Sequence, residues 1–362
     1  MAGDHDCNGF FSSSLGICTG FITLSETTDE PTSLLSLGFP SAHPSVLIRP
    51  PTDPPKSHPN DFPTGQKTIS PTGTPTFQPI VQPNLQTISS TDPPTALSTN
   101  LFQNTTFCAF GDVPYTLEEK SVLPNHIKSL PADCKFLVHV GDIKGGKTPC
   151  TERGYQDIAT MLMLSPVPVF IVPGDNEWND CEDPDAAWVV WEKVFSEFDL
   201  KWRHNFGVVR QPGREENFAF VQSGTLFIGL NIVGGRIHDK TEWSTRLTSQ
   251  YRWTRDMIGN HLGGIGATVI FGHSHQPQKH GRYFFSPLKS YLKNELGSVM
   301  PILYLQGDAH RFAYNTGMMG LPTAVQVIVR GGTTEPPLKV LVDPQAAGSG
   351  ASQVFQYDRR LL

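Results

Sequence analysis

The stretch FLVHVGDIKGG, residues Phe136–Gly146, decides the fold of this chain. It begins as an apolar run, ends that run at a Gly-Asp pair, and passes into a glycine-rich loop. Continuous apolar runs bounded by turn residues are typical of the buried strands of parallel sheets. Because glycine permits a sharp turn, Asp142 is predicted to lie just past the carboxyl end of a strand, where open α/β sheets bind their ligands.

The same pattern occurs five times along the chain. Each time an apolar run is followed by a glycine and then directly by Asp or His, two residue types that bind metal ions. The five pairs are Gly111-Asp112, Gly141-Asp142, Gly174-Asp175, Gly272-His273 and Gly307-Asp308. Independent turns would not all place a metal-binding side chain at this position. The recurrence therefore predicts one site, assembled from five strand ends.

Strand and helix patterns alternate from residue 101 to residue 362, which predicts one α/β domain. The candidate helices are Tyr115–Ser129, Tyr155–Leu164, Trp188–Phe198 and Trp243–Ile258. Asn217–Leu230 predicts a hairpin with its turn at Ser223-Gly224. The candidate closing strands are Thr323–Gly331, Leu338–Val342 and Val354–Tyr357. Because hairpins supply antiparallel strands, the sheet is expected to be mixed.

Residues 1–100 differ in composition from the rest of the chain. Between Pro40 and Pro94 the sequence carries 14 of its 31 prolines, together with many Ser and Thr. Such a segment cannot bury enough apolar surface to offset the entropy of ordering it. We therefore predict a disordered N-terminal region or stalk before the folded domain.

Composition narrows the possible partners. The formal net charge of −6 and a pI near 6.0 argue against a nucleic-acid partner. No run approaches the roughly 18 apolar residues of a membrane span. Phe10–Leu24 is apolar, but Asp4 and Asp6 precede it and the first basic residue is Arg49, so it does not fit a secretory signal.

Six cysteines leave the redox compartment open. Cys108 falls within the first predicted strand and is expected to be a buried free thiol. Cys150 and Cys181 each follow a site loop closely, so either they form a bridge across the site or they remain separate. The stalk and such a bridge would together lean towards a secretory or extracellular localisation.

Taken in chain order, the motifs resemble those of the calcineurin-like metallophosphoesterases. The series is Gly111-Asp112, Gly141-Asp142, Gly174-Asp175-Asn176-Glu177, Gly272-His273 and Gly307-Asp308-Ala309-His310, within Phe107–His310. The resemblance implies an α/β fold of two packed mixed β-sheets flanked by helices, with two metal ions at the strand ends. It also implies hydrolysis of a small phosphate mono- or diester by a hydroxide that bridges the two metals.

The resemblance assigns six metal ligands by position. They are Asp112, Asp142, Asp175, His273, Asp308 and His310. Asp142 would bridge the two metals, since a carboxylate has two oxygens. Asp112 and His310 would bind the first metal, and the other three residues would bind the second.

The chain departs from the family pattern at positions that matter for catalysis. The histidine of the first motif is absent, and Tyr115 is either a substitute ligand or a buried structural residue. Asn176 occupies the place of a histidine that resembles a general acid, and Asn cannot donate a proton at neutral pH. Either His275 protonates the leaving oxygen, or a good leaving group needs no protonation. An ordinary loop histidine is the remaining interpretation of His275.

A second alignment is also open. Gly272-His273-Ser274-His275 is a literal Gly-His-x-His sequence and could be the fifth motif, with His238 or His261 as the fourth. The first alignment is preferred, because it keeps a strand before each ligand and gives Asp308 and His310 a role.

Four carboxylates make the predicted site rich in oxygen ligands, and such sites favour Mn, Fe or Mg over Zn. Lys144 and Arg311 are either phosphate contacts or solvated loop charges, and Glu177 is expected to anchor its loop. The alternative function is a degenerate metallophosphoesterase fold that binds a metal or ligand without catalysis. Calcium binding by acidic loops is less favoured, because His273 and His310 are poor calcium ligands.

Overall fold

The structure is a computed structural model that describes residues 102–275 and 281–361. The predicted N-terminal region, residues 1–100, and the apolar segment Phe10–Leu24 lie outside the described residues. Among the helices of the described ranges, none is long and apolar enough to cross a membrane.

The described residues contain twelve strands and six α-helices. The strands are β1 Thr105–Phe110, β2 Leu137–His139, β3 Val169–Ile171, β4 Val209–Gln211, β5 Arg214–Gln222, β6 Thr225–Gly229, β7 Ala267–Phe271, β8 Ile302–Gln306, β9 Ala313–Thr316, β10 Ala324–Ile328, β11 Leu338–Val342 and β12 Phe355–Asp358. The helices are α1 Leu117–Lys128, α2 Glu152–Leu162, α3 Pro184–Phe195, α4 Lys240–His261, α5 Phe285–Asn294 and α6 Ala351–Val354. Shorter helical turns are Asp175–Asn179, Phe198–Lys201, Gly281–Tyr283, Met318–Gly320 and Pro344–Ser349.

The strands form two mixed sheets. The first has five strands in the order β12-β11-β1-β2-β3, and β1, β2 and β3 are parallel. The second has seven strands in the order β4-β5-β6-β7-β8-β10-β9, with β6, β7, β8 and β10 parallel. Each sheet therefore gathers the carboxyl ends of several parallel strands along one edge.

The two sheets pack face to face through a core rich in phenylalanine. Phe136 lies at its centre, and its ring contacts those of Phe107, Phe170, Phe227 and Phe271, with centroids 5.1–6.4 Å apart. Phe107 and Phe170 belong to the five-stranded sheet, whereas Phe227 and Phe271 belong to the seven-stranded sheet. Phe136 therefore joins both sheets just before β2 begins.

Helices cover the outer faces of the two sheets. Buried side chains of α1, α2 and α3 pack on the outer face of the five-stranded sheet. Those of α4 and α5 pack on the outer face of the seven-stranded sheet. The predicted fold class, two packed mixed sheets flanked by helices, is confirmed.

All four candidate helices are present, but their starting residues differ from the prediction. Each helix begins directly after a polar residue whose side chain caps the first turn: Thr116, Thr151, Asp183 and Asp239. Such residues accept hydrogen bonds from amides that have no partner inside the helix. Three of the helices consequently begin before the apolar periodicity from which they were predicted.

The predicted hairpin is confirmed as β5 and β6. Its two-residue turn is Ser223-Gly224, with φ angles of 53° and 80°. Two positive φ angles are what the tightest hairpin turns require. The predicted closing strands are also present, as β10 in the seven-stranded sheet and as β11 and β12 at the edge of the five-stranded sheet.

The free thiol predicted for Cys108 is wrong, because Cys108 forms a disulfide with Cys134. The segment before β2 pairs with β1 through Lys135 N–H to Thr106 O and Cys108 N–H to Phe136 O, which brings the two cysteines together. A chain-distant pairing of this kind leaves no local pattern in the sequence. The open alternative at Cys150 and Cys181 is resolved as a disulfide.

Replacing Phe136 with alanine should lower the free energy of unfolding by about 3–5 kcal/mol, because a fully buried aromatic side chain leaves a cavity between the sheets. Guanidinium unfolding would measure the change. As a control, Leu117→Ala removes a side chain that is 85% exposed and should shift stability by less than about 0.5 kcal/mol. Similar losses in both variants would contradict the central position of Phe136.

Candidate metal centre

The backbone turns sharply at four of the predicted ligands. Asp112, Asp142, Asp308 and His310 have φ angles of 53°, 60°, 70° and 55°. Residues other than glycine rarely adopt this left-handed conformation, although Asp and His do so more often than most. Strained conformations of this kind cluster at functional sites. The turns bring the ligands of β1, β2 and β8 to one edge of the sandwich.

Five of the six predicted ligands form two groups that share Asp142. In the first group, Asp112, Asp142 and His310 each offer one ligand atom within 4.8 Å of the others. In the second, Asp142, Asp175 and His273 do the same. Because only Asp142 belongs to both groups, it stands between two adjacent candidate ion sites.

His273 is oriented as a metal ligand. Its Nδ1 donates to the Val140 carbonyl oxygen at 2.8 Å, so Nε2 is the nitrogen that faces the carboxylates. The ring is fully buried, and Nε2 lies 3.3 Å from Asp142 Oδ1 and 3.0 Å from Asp175 Oδ1 without forming a hydrogen bond. In its deprotonated form, this nitrogen would complete a group of three candidate metal ligands with the two carboxylates.

The pKa values of this group follow from its charges. Burial disfavours the charged form of His273, but the carboxylates of Asp142 and Asp175 outweigh burial and hold its pKa well above the usual range. Burial also opposes ionisation of Asp142, whereas His273 and hydrogen bonds hold its pKa at about 2. Burial raises the pKa of Asp175, although His273 opposes the shift. The ionised Asp142 therefore lies beside a His273 ring whose charged form it stabilises.

Tyr115 lies in the loop between β1 and α1, and its side chain reaches the centre of the site. Its hydroxyl donates to Asp142 Oδ2 at 2.9 Å and lies 3.4 Å from His310 Nε2. Burial and the charges of Asp142 and Asp112 raise the pKa of Tyr115. The residue is therefore a neutral phenol that donates a hydrogen bond to the shared carboxylate.

Asn176 also binds Asp142, through its backbone and its side chain. Its N–H donates to Oδ1 at 3.0 Å and its Nδ2 donates to Oδ2 at 2.5 Å. The predicted catalytic position thus lies within the metal centre, in direct contact with the shared ligand.

His310 is the most exposed of the grouped ligands, with 54% of its side chain accessible. Its Nε2 lies 3.4 Å from Asp112 Oδ1, and this contact raises the pKa of His310. The exposed ring lies on the side of the candidate centre that is open to solvent.

Asp308 is the predicted ligand that belongs to neither group. Its N–H donates to both carboxylate oxygens of Asp112, at 3.0 and 3.2 Å, and its own Oδ2 accepts from Ser274 Oγ at 2.6 Å. Its backbone thus orients a ligand of the first group, and its carboxylate is held by the loop after β7.

His275 lies beside the centre without joining either group. Its ring packs edge-on against Phe285, with centroids 4.5 Å apart, and its Nε2 is buried without a hydrogen-bond partner among the described residues. Burial lowers the pKa of His275 to about 4, so the imidazole is neutral at neutral pH.

The second alignment would place His238 or His261 at the metal centre, and the structure places neither in a ligand group. His238 Nδ1 contacts Asn179 Oδ1 at 2.8 Å. His261 Nδ1 contacts the Met257 carbonyl oxygen at 2.7 Å, at the end of α4.

Glu177 anchors the site loop, as expected. Its Oε1 accepts from Asp142 N–H at 3.1 Å and from Gly174 N–H at 2.5 Å. Burial and the nearby Asp142 charge raise the pKa of Glu177 to about 8. This one side chain therefore connects the loop after β2 to the loop after β3.

Sequence reasoning missed His139 as a supporting residue. Its Nε2 contacts the Val113 carbonyl oxygen at 3.0 Å, and its Nδ1 accepts from Gly141 N–H at 3.2 Å. The ring thus connects the loop after β1 to the loop after β2. A polar residue inside the apolar run FLVHV was the signal that could have identified it.

Comparisons with solved structures find similar backbones at low sequence identity. The purple acid phosphatase PPD1 from seeds of yellow lupin (Lupinus luteus) is 12% identical, with a TM-score of 0.44, over 67% of this chain and 50% of that chain. GAP50, the anchor in the inner membrane complex of Plasmodium, is 11% identical, with a TM-score of 0.44, over 66% of this chain and 81% of that chain. The match spans half the length of the lupin phosphatase.

No protein-family model matches the chain, and no curated protein does so either. At these identities the structural similarity says nothing about individual residues or about activity. Function therefore has to be argued from the side chains of the metal centre.

Gly174→Ala should destabilise the site loops by about 1–3 kcal/mol, because the added methyl group would lie 2.1 Å from the Asp142 nitrogen. Gly174 has a φ of −97°, so the effect would be steric rather than conformational. Thermal or guanidinium unfolding would measure it. The control is Gly263→Ala, where the new methyl group meets no atom within 4 Å. Equal stability of the two variants would show that the loops separate easily.

Proposed function

We propose that the protein is a dinuclear metallophosphoesterase that hydrolyses a phosphate mono- or diester. The observation that carries the proposal is the position of Asp142, which belongs to two groups of candidate ligands at once. A carboxylate with two oxygens can contact two ions, whereas a single imidazole nitrogen binds one. Two adjacent divalent ions would polarise a phosphoryl oxygen and activate a water molecule.

The residues of the chain divide between the two ions. Asp112 and His310 would hold one ion, Asp175 and His273 would hold the other, and Asp142 would contact both. Asp308 lies outside both groups, and its carboxylate accepts a hydrogen bond from Ser274. Its role as a ligand of the second ion therefore stays a prediction. The carboxylates outnumber the imidazoles, and this favours Mn, Fe or Mg over Zn.

Tyr115 and Asn176 orient the shared ligand. Tyr115 donates to Asp142 Oδ2, and Asn176 donates to both Asp142 oxygens, so the carboxylate is held in one orientation. Asn176 Nδ2 can also donate to an oxygen of the substrate, but it has no proton to transfer at neutral pH. The role proposed for Asn176 is therefore orientation of ligand and substrate.

A second candidate function is binding without catalysis. The side chain of Asn176, at the position of the general acid, is directed at Asp142, and His275 is neutral and packed against Phe285. The same metal centre could then hold ions or a ligand without turnover. Metal content and hydrolysis, measured together, separate the two functions.

We further propose an oxidising compartment for the protein. Disulfides persist in secreted and extracytoplasmic proteins and are rare in the reducing cytosol. The described residues contain two, Cys108–Cys134 and Cys150–Cys181. The second has both sulfur atoms 3.6 Å from the Asn176 carbonyl oxygen, so it supports the site loop directly.

Asp142→Asn should remove both ions and lower the rate of ester hydrolysis by more than about 100-fold, because loss of a direct ligand exceeds the usual effect of losing an outer partner. Elemental analysis and assays with an aryl phosphate and an aryl diester on the same samples would measure both losses. Asp157→Asn, on the exposed face of α2, is the matched control and should change neither.

Retention of both metal and turnover by Asp142→Asn would refute the dinuclear site. Two ions in wild type without hydrolysis of either ester would instead support binding without catalysis.

The general-acid role of His275 stays a prediction, and leaving-group dependence tests it. If His275 protonates the leaving oxygen, His275→Ala should slow phenyl phosphate hydrolysis by about 10²–10⁴-fold and leave 4-nitrophenyl phosphate nearly unchanged. The control is His261→Ala, at the end of α4. An equal effect on the two esters would exclude His275 as the proton donor.

A further inference from the structure

Arg246 on α4 is a fully buried cation, with 0% of its surface exposed. Its Nε donates to Glu242 Oε1 at 2.8 Å, one turn earlier on the same helix. Its Nη2 has no hydrogen-bond partner among the described residues. Burial of an ion pair often costs as much free energy as the attraction supplies, so an apolar side chain of similar volume can be equally stable. Stability alone therefore gives no reason for a cation at this position.

The first contact of Arg246 outside its own helix is with the segment that follows β6. Its Nη1 donates to the Asn231 carbonyl oxygen at 2.5 Å and to Asn231 Oδ1 at 3.3 Å. Gln250, one turn further along α4, donates its Nε2 to the same carbonyl oxygen at 3.1 Å. The Asn231 N–H in turn donates to Asn217 Oδ1 at 2.7 Å. Side chains therefore hold this segment just after the strand ends.

The next residue of this segment fixes the backbone of a candidate metal ligand. The Ile232 carbonyl oxygen accepts from the N–H groups of His273 and Ser274, at 2.9 and 3.0 Å. His273 is the imidazole of the second ligand group. The backbone position of His273 therefore depends on the segment that Arg246 holds through Asn231.

The second contact of Arg246 is with the turn that carries Asp175. The guanidinium carbon lies 5.3 Å from the centroid of the Trp178 ring and 4.8 Å from that of Trp243, on its own helix. A cation over an aromatic face is attracted to the ring, and more strongly where water is excluded. Trp178 is 4% exposed and lies three residues after Asp175 in the same helical turn. Arg246 thus contacts a segment beside each ligand that belongs to the second group alone.

The first ligand group has a different support. Within the described ranges, the hydrogen bonds and ring contacts of Arg246 include no residue of the loops that carry Asp112 and His310. The Asp112 N–H donates to the Gly141 carbonyl oxygen, and the Asp112 carboxylate accepts from Asp308 N–H. Loss of the Arg246 contacts should therefore affect the two candidate ion sites unequally.

We propose that Arg246 is a positioning residue for one of the two ions, the one that Asp175 and His273 would hold. It acts by fixing the Asn231-Ile232 segment beside His273 and the helical turn that contains Asp175. The guanidinium suits this role because its planar fork of donors can bind a carbonyl oxygen while its faces stack on aromatic rings. The identity of the ligand as a metal ion rests on the proposed dinuclear centre, whereas the effect of Arg246 on the His273 backbone does not.

Calorimetric titration of Mn²⁺ into the metal-free full chain tests the proposal. Wild type should bind two ions, and Arg246→Met should bind one of them about 10–100-fold more weakly, the usual effect of losing an outer partner of a metal ligand. The free energy of unfolding should change little, because methionine fills much of the same space without a buried charge. Arg252→Met is the matched control, since Arg252 is exposed on the same helix, and it should behave as wild type.

Double variants identify the ion that is weakened. His310→Ala removes a ligand of the other ion, so the addition of Arg246→Met should weaken the ion that remains. In the His273→Ala background, Arg246→Met should have little further effect, because the ion concerned has already lost its imidazole.

Hydrogen exchange of the metal-free chain supplies a readout that needs neither metal nor activity. In Arg246→Met, the amides of His273 and Ser274 should exchange faster than in wild type. The Asp308 amide, which donates to Asp112, should keep its rate. If wild type binds no Mn²⁺ but the two amides still depend on Arg246, the proposed function fails and the positioning of His273 stands.

Three results would overturn the proposal. The first is binding of two Mn²⁺ ions by Arg246→Met with wild-type affinities. The second is equal weakening of both ions together with a lower free energy of unfolding, which would assign Arg246 to general stability. The third is unchanged exchange at His273 and Ser274. Should Arg246→Met fail to fold, Arg246→Lys keeps the charge without the planar fork, and wild-type binding of both ions by that variant overturns the proposal.

Discussion

The interaction on which the site depends is the set of contacts made to one carboxylate, Asp142. Tyr115 contacts it from the loop after β1, Asn176 from the helical turn after β3, and His273 from the loop after β7 in the other sheet. Each partner is fixed by a different part of the chain, so the geometry of Asp142 exists only when both sheets are packed. The metal centre is therefore a product of tertiary structure rather than of any single motif.

Packing between the sheets sets the distances in the metal centre. Phe136 fills the space between the sheets six residues before Asp142, and its contacts reach β6 and β7 on the other side. Hydrogen bonds then connect the loops in series: Asp112 N–H to Gly141 O, Gly307 N–H to His273 O, and Asp308 N–H to Asp112. A shift of one sheet against the other would change the distance from Asp142 to His273, so the candidate centre depends on the same core as stability.

The sequence predicted what depends on local pattern and missed what depends on distant contacts. Repeated strand, glycine and ligand units predicted an α/β domain with a mixed sheet and the meeting of strand ends, because side-chain type and period carry that information. The division into two packed sheets was predicted from the family resemblance. The disulfide of Cys108 and the contacts of His139 join separate segments and leave no such pattern. Asp308 shows the same limit: its position after a strand was predicted, but its hydrogen bond to Ser274 was not.

The charges of the centre favour a cation, whatever the reaction. Asp112, Asp142 and Asp175 are buried together, and burial of like charges costs several kcal/mol unless positive groups offset it. A typical domain has only about 5–15 kcal/mol of total stability, so this cost is large. His273 can carry one positive charge, but its Nδ1 is already committed to the Val140 carbonyl oxygen and its Nε2 lies between two carboxylates. Metal ions, if bound as proposed, would supply the missing positive charge and take Nε2 of a deprotonated His273 as a ligand.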